Sequence, residues 1–207
     1  MIVIGVVENL RERNTFKLLK EIFFMWNYET IYENKTKSMA ILNQNKNYIM
    51  IIDISPEKAN AIGYIGIDFN IIIHTFLKSV DYDNQNIKDM FLKSKYIIIN
   101  SDEDRWTSLL DNNVESIVIT YGFNNKSTVN PSSYNIHDII EANIGFQRVI
   151  YTILGEDIDP FELPIKINSR SKVDLYSGIA AMACGLILGI DLFLLDEVLE
   201  FKGIYMR

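Results

Sequence analysis

The sequence predicts an α/β protein: a mostly parallel, doubly wound sheet with helices on both faces. Short runs dominated by Ile and Val return along the chain without polar alternation, as strands buried on both faces require. Segments with helical spacing of apolar residues separate them, the pattern of parallel strands joined by helical crossovers. At 207 residues the chain suits one domain, residues 1–207. A core of that size needs no disulfide or metal staple.

Ile2–Val7, IVIGVV, is the first buried strand. Thr15–Trp26 sets Phe16, Leu19, Ile22 and Phe23 on one helical face, with Asn14 or Thr15 as its cap. Thr36–Asn45 reads as a weaker helix, and Tyr48–Ile54, YIMIIDI, as a second buried strand with Asp53 near its end. Glu57–Ile62 forms a helical turn. Phe69–Thr75 is the third strand, Asn84–Ser94 a helix, Tyr96–Asn100 the fourth strand, Asp104–Leu110 a short helix and Ser116–Gly122 the fifth strand. The crossovers between them are expected to be right-handed. Beyond Phe123 the pattern changes. Ser133–Phe146 mixes polar and apolar residues, and Arg148–Leu154 reads as a strand. FELPIKI, residues 161–167, holds the Leu-Pro pair of an edge or a loop. Asp174–Leu188 is a long helix and Asp191–Phe201 a second one.

With 20 basic and 27 acidic side chains the net charge is -7, the wrong sign for a protein that grips nucleic-acid phosphates, so no nucleic-acid partner is expected. Cys184, the single cysteine, cannot form an internal disulfide and lies in an apolar segment, where a buried inert thiol is expected. That and the short apolar start, MIVIGVVENLRER, fit the cytoplasm. Gly178–Leu195 is the one stretch resembling a membrane span. Its uncharged part is too short, and Asp191 near a bilayer centre costs about 2.5–3.5 kcal/mol. A buried helix rich in small residues is expected, with no membrane contact.

Ligands of doubly wound sheets sit at the carboxyl ends of the strands. Here those ends carry Glu8–Asn14, Asp53, Thr75 and Asn100–Asp104. Asp53 has two readings: a Mg²⁺ ligand, since that ion favours carboxylate oxygens, or a solvated strand-end or helix-capping acid.

Local order then resembles a known family. IIDISPEKANAIGYIGIDFNIIIHTFLKSVDYD is similar to the Mur ligase stretch that reads E-V-S-S-H-A-L, then G, F-D and F-T-N-L. YIIINSDED resembles the following V-I-N-x-D-D strand end, and ITYGF at residues 119–123 stands as in that family. DLYSGIAAMACGLILGID resembles N-V-Y-N-A-L-A-A-I-A-x-A-L-x-L-G-I, and the terminal FKGIYMR resembles F-x-G-V-x-G-R. The blocks occur in family order over nearly the whole chain, closest to the tripeptide synthetases. The resemblance implies the P-loop-type central, ATP-binding domain of a three-domain amide ligase, with the UDP-binding and amino-acid-binding domains absent. ATP and Mg²⁺ are the cofactors it implies wherever the family's site survives.

The family's phosphate loop reads G-x-T-G-T-N-G-K-T-T, whereas this chain reads GVVENLRERNTF from Gly5. Glu8 falls near the second glycine, and Leu10 or Arg11 near the third. A non-glycine residue in the left-handed region costs roughly 1–2 kcal/mol, so two such replacements disfavour that loop shape. Arg13, after a one-residue insertion, either imitates the loop lysine, followed by Asn14 and Thr15, or belongs to a charged solvated loop. Asp53 matches the Mg²⁺-binding Glu. Asn100 and Asp102 match the N-x-D-D strand end, Asp174 and Ser177 the two Asn of the long helix, and Arg207 the hinge arginine. The resemblance thus names Arg13, Asn14, Thr15, Asn100, Asp102, Asp174 and Arg207 as nucleotide-binding candidates, Asp53 as the metal candidate, and no catalytic residue. The Asp-His pair after F-T-N-L is missing. His74 takes the preceding Phe position as a packed or strand-end histidine, and His137 has no partner motif. Lys88 is the nearest match to the family's carbamylated lysine, one position out of register, and otherwise a surface lysine.

Packing motifs persist while chemical motifs erode. The expected function is a binding or regulatory protein linked to cell-wall type pathways, with no cofactor and with a protein partner or a homodimer. The alternative is an ATP-dependent amide ligase with a remodelled nucleotide site that needs a partner chain.

Overall fold

The computed structural model describes residues 1–10, 12–36, 38–110, 115–194 and 199–201, the side chains of 194, 199 and 200 excepted. Its elements begin with β1 (Ile2–Val7), α1 (Asn14–Met25), β2 (Glu29–Glu33), β3 (Met39–Gln44), β4 (Asn47–Ile54) and α2 (Pro56–Ile65). There follow β5 (Ile71–His74), a 3₁₀ turn at Ser79–Asp83, α3 (Gln85–Lys93), β6 (Tyr96–Asn100), a 3₁₀ turn at Trp106–Leu109 and β7 (Ile117–Tyr121). Then come β8 (Val129–Ile136), β9 (Ile140–Phe146), β10 (Ile150–Tyr151), β11 (Asp157–Ile158), β12 (Phe161–Ile167), α4 (Lys172–Ile187), a 3₁₀ turn at Leu192–Leu194 and β13 (Leu199–Phe201).

Eleven strands make one sheet in the order β13-β12-β9-β8-β7-β6-β5-β1-β4-β3-β2. Its centre, β4-β1-β5-β6-β7, is parallel throughout. Antiparallel pairs extend it on both sides, β4 with β3 and β2, and β8 with β9 and β12. The α/β fold with a mostly parallel centre is therefore as the sequence predicts.

Helices cover both faces. Ile4, Val6, Ile71, Ile73 and Ile98 pack against α1 and α4 on one side. Val7, Ile72, Ile97 and Ile99 pack against Ile87, Met90 and Phe91 of α3 and Ala59 of α2 on the other. Phe16, Leu19, Ile22 and Phe23 are buried in α1, each contributing roughly 1.5–3 kcal/mol. α4 is buried along almost its whole length because Gly178, Ala180, Ala181, Ala183 and Gly185 keep it thin. A Cβ on Gly185 would stand 3.1 Å from Ile22 of α1. Cys184 is buried and free, as expected. Among the described residues no helix is long and apolar enough to cross a membrane.

Several elements differ from expectation. Thr36–Asn45 is not a helix: Met39–Gln44 is β3, paired antiparallel to β4, and β2 precedes it unannounced. The β3–β4 turn sets Asn45 and Lys46 both at positive φ (49° and 70°), the two-residue hairpin geometry in which Gly is the usual second residue. With Lys there, the strongest local hairpin signal is missing. Ser133–Phe146 supplies half of β8 and all of β9. Of Arg148–Leu154 only Ile150–Tyr151 is strand, paired with β11 in a separate two-stranded sheet. Asp191–Phe201 is not a second helix: its described parts are a 3₁₀ turn and β13, and residues 195–198 lie outside the described residues. Pro164 sits inside β12, opposite Asn143 of β9. Among the described residues β13 pairs only with Ile165–Ile167, so Pro164 keeps the edge character its missing N–H requires.

Gly5 lets Phe69 cross β1. A Cβ at residue 5 would stand 2.8 Å from the Phe69 ring and 3.2 Å from Ile54. Gly5→Ala is expected to destabilise by about 1–3 kcal/mol, the usual cost of overpacking, read as a lowered urea midpoint. An unchanged midpoint would mean that the ring moves aside freely.

Candidate functional site

β1 is flanked by β4 on one side and β5 on the other, so the chain reverses its direction of sheet growth at β1. Such a switch point opens a crevice at the carboxyl ends of the strands. Glu8 follows β1, Asp53 closes β4 and Thr75 follows β5. The N-termini of α1 and α4 face the same end of the sheet, and buried side chains join them. Asn14 donates to an Asp174 oxygen, and Thr15 Oγ1 lies 3.0 Å from Ser177 Oγ.

Neither Asn14 nor Thr15 caps α1. The cap position is Arg13, held in the left-handed region (φ 52°, ψ 50°), and both predicted caps are buried inside the first turn. The left-handed backbone carries Arg13 back over the sheet. Its Nε lies 3.0 Å from Asp53 Oδ2, and its guanidinium also donates to the Thr36 carbonyl. Asp53 is 4% exposed, so the solvated strand-end reading is corrected: it is a buried acid with an arginine counter-charge.

Glu8 is the residue whose placement sequence reasoning missed. It is 1% exposed and turns inward beside Asp53, toward Thr15 and the backbone amides of Thr15 and Phe16. Among the described residues neither carboxyl oxygen closes a hydrogen bond of full geometry. Burial, and then the charge of Asp53, pushes the Glu8 carboxyl up to about 8. Burial also pushes Asp53 up, to about 6, against the pull of Arg13, Lys58 and a hydrogen bond with Glu8. Burial and mutual repulsion therefore disfavour the state in which both acids are ionised. Asn14 Oδ1 and Thr75 Oγ1 are likewise buried without a hydrogen-bond partner among the described residues. Clustered orphans of this kind are uncommon in native cores.

The other candidates are engaged within the chain. Asn100 donates to the Thr75 carbonyl at 3.0 Å and accepts from the Asp102 amide at 3.1 Å. Asp102 accepts from the Phe123 amide at 2.6 Å, the Asn124 amide at 3.2 Å and the Tyr176 hydroxyl at 2.7 Å. Asp174 is 1% exposed and accepts from Ser169 as well as Asn14; burial raises its pKa, and those two bonds oppose the shift. The structure thus gathers Arg13, Asn14, Thr15, Asp53 and Asp174 around Glu8, and sets Asn100 and Asp102 alongside. Lys88 lies on α3, where its charge acts on Asp83. Arg207 lies outside the described residues.

His74 packs as expected. Its ring is fully buried, Nε2 meets Tyr82 Oη at 2.9 Å, and Tyr82 donates to Glu103 at 3.4 Å. Burial lowers the imidazole to about 3, so it is neutral. The Tyr82–Glu103 chain had no local signal, because its members come from three separate segments. Among the described residues no group of three or more His, Cys, Asp or Glu is arranged to hold a metal. A solvent-open cleft of about 560 Å³ lies elsewhere, lined by Glu57, Asn60, Asp81, Asp83, Asn84 and others, and includes neither Glu8 nor Asp53.

No protein-family model matches the chain, and no curated protein matches it by sequence. Solved structures do. The chain is similar to MurF from Acinetobacter baumannii, with a TM-score of 0.65 and 9% identity over 94% of this chain and 44% of that one. It is also similar to the MurF ligase from Thermotoga maritima in complex with ADP, with a TM-score of 0.59 and 12% identity over 94% of this chain and 47% of that one. The chain spans less than half the length of either. At such identities the likeness is one of fold, and on that ground the chain has a Mur-ligase-like α/β fold.

Proposed function

We propose that this chain is a binding or regulatory protein on a Mur-ligase-like scaffold, without ATP-dependent amide ligase activity, serving cell-wall type pathways through a protein partner. One observation carries the reading: the Glu8 carboxyl lies buried beside the Thr15 and Phe16 amides at the start of α1. A helix N-terminus of this kind receives an anion, and here the chain brings its own acid to it. A polyphosphate placed there meets Glu8 and Asp53 together, while Arg13 is tied to Asp53 and Thr36. These residues do not fit ATP, and no phosphoryl-transfer step is derived through them. Isothermal titration of the full chain with Mg-ATP is expected to give no heat of binding at micromolar concentrations. Micromolar affinity would refute the proposal.

A second reading is favoured by the buried unpartnered oxygens of Glu8, Asn14 and Thr75, since functional sites are where such orphans collect. In it the chain is an amide ligase with a remodelled nucleotide site, completed by a partner chain. Phosphate release above background with amino-acid acceptors and a co-encoded partner supports it; release at background removes it.

A further inference from the structure

The first turn of α4 faces a cluster of partly exposed rings. The Phe123 ring centroid lies 4.9 Å from that of Tyr176 and 5.0 Å from that of Tyr134, and Phe76 stands 5.1 Å from Tyr176. The Lys172 ammonium sits 3.8 Å from the Phe123 centroid, 5.8 Å from Tyr134 and 5.9 Å from Tyr176. Asp102 fixes two of these walls through its bonds to the Phe123 amide and the Tyr176 hydroxyl, and leaves a carboxylate beside them. Three rings around one ammonium is the chemistry that recognises alkylated cations. The occupant is weakly held: Lys172 is exposed, and no acid pairs with it at salt-bridge distance among the described residues.

We propose that Phe123, Tyr134 and Tyr176 form a cage for a small N-methylated ammonium compound, and that Lys172 covers the cage until such a cation displaces it. The preference for methylated nitrogen follows from hydration. A primary ammonium is a compact, strongly hydrated charge that leaves water reluctantly. A quaternary ammonium carries the same charge to the ring faces with a weaker hydration shell and fills them with methyl groups. It therefore displaces Lys172 into solvent at little cost. The cage is independent of the charged loop after β1, because Phe123, Tyr134 and Tyr176 all lie outside it.

The test is an aromatic ¹H–¹³C NMR titration of the full chain with tetramethylammonium chloride. Sodium chloride at equal ionic strength and tert-butanol, a neutral molecule of similar shape, are the controls. Tetramethylammonium alone is expected to shift the Phe123, Tyr134 and Tyr176 signals. Removing the competing cation with Lys172→Ala, at an exposed position, is expected to tighten binding about two- to fivefold. Tyr134→Leu, which removes a half-exposed wall, is expected to weaken it. The proposal is overturned if neither wild type nor Lys172→Ala responds, if tert-butanol gives the same shifts, or if Lys172→Ala binds no tighter than wild type.

Discussion

Replacing Glu8 with glutamine is expected to stabilise the protein at pH 8 by about 1–3 kcal/mol, the usual cost of a buried group without full hydrogen bonding. For a chain of this length that is a rise of roughly 2–4 °C in melting temperature per kcal/mol. The same change is expected to flatten the dependence of stability on pH. The folded chain keeps a proton on Glu8 up to about 8, whereas the unfolded chain releases it near the ordinary 4.5. Between those values the native state binds more protons than the unfolded one, so every rise in pH favours unfolding. Asp53, raised from 3.8 to about 6, acts with the same sign at lower pH. His74 acts oppositely: lowered from 6.5 to about 3, it costs stability as pH falls below 6.5. The window from pH 7 to 8 lies above the Asp53 and His74 midpoints and is therefore dominated by Glu8. Urea midpoints at those two pH values are expected to fall for wild type and to stay level for Glu8→Gln. Equal losses in the two proteins would show that the carboxyl titrating there is not Glu8.

Arg13→Ala is expected to be the most damaging single change in the site, at about 2–4 kcal/mol. The estimate lies below the 3–5 kcal/mol of a fully buried pair because the Arg13 side chain is 30% exposed. Without it, Asp53 and Glu8 share a buried space with no ion-paired cation among the described residues. Glycine separates the charge from the backbone: Arg13→Gly loses the same ion pair but relaxes the left-handed cap, and is expected to retain about 1 kcal/mol more than Arg13→Ala. Above about pH 8, where Glu8 is ionised, adding Glu8→Gln to Arg13→Ala is expected to recover part of the loss, since a neutral neighbour leaves Asp53 unopposed. Denaturant unfolding of the four proteins measures this coupling. An Arg13→Ala protein within about 0.5 kcal/mol of wild type, the range of ordinary surface substitutions, would show that the pair contributes nothing.

The central strands were readable in the sequence because burial on both faces writes itself as continuous β-branched runs: IVIGVV, YIMIIDI, YIIIN and SIVITYG each contain a strand of the parallel centre. The wings were not. β2, with most of its residues exposed, and the polar half of β8 carry too little apolar pattern, and their strand state depends on partners supplied elsewhere. β13 exists through its pairing with β12, which no local propensity announces. The same division runs through the site. Asp53 stood out as an acid ending an apolar strand, and the charged character of the loop after Gly5 was plain. The αL cap at Arg13 was hidden, because arginine is not a residue that signals positive φ.

The sequence alone established the strands of the parallel centre, the thin apolar α4 and a charged loop after β1 where the resemblance implies a glycine-rich one. Those features depend on neighbours along the chain and on periodicity. Only the tertiary structure decided which way the charged loop turns. Glu8 points inward because β4 brings Asp53 beside it and α1 presents its first amides to it. Arg13 points back because Asp53 is the acid within its reach. Desolvation, which sets the charge of both carboxyls, depends on what surrounds them in space, and so stays invisible until the sheet has assembled.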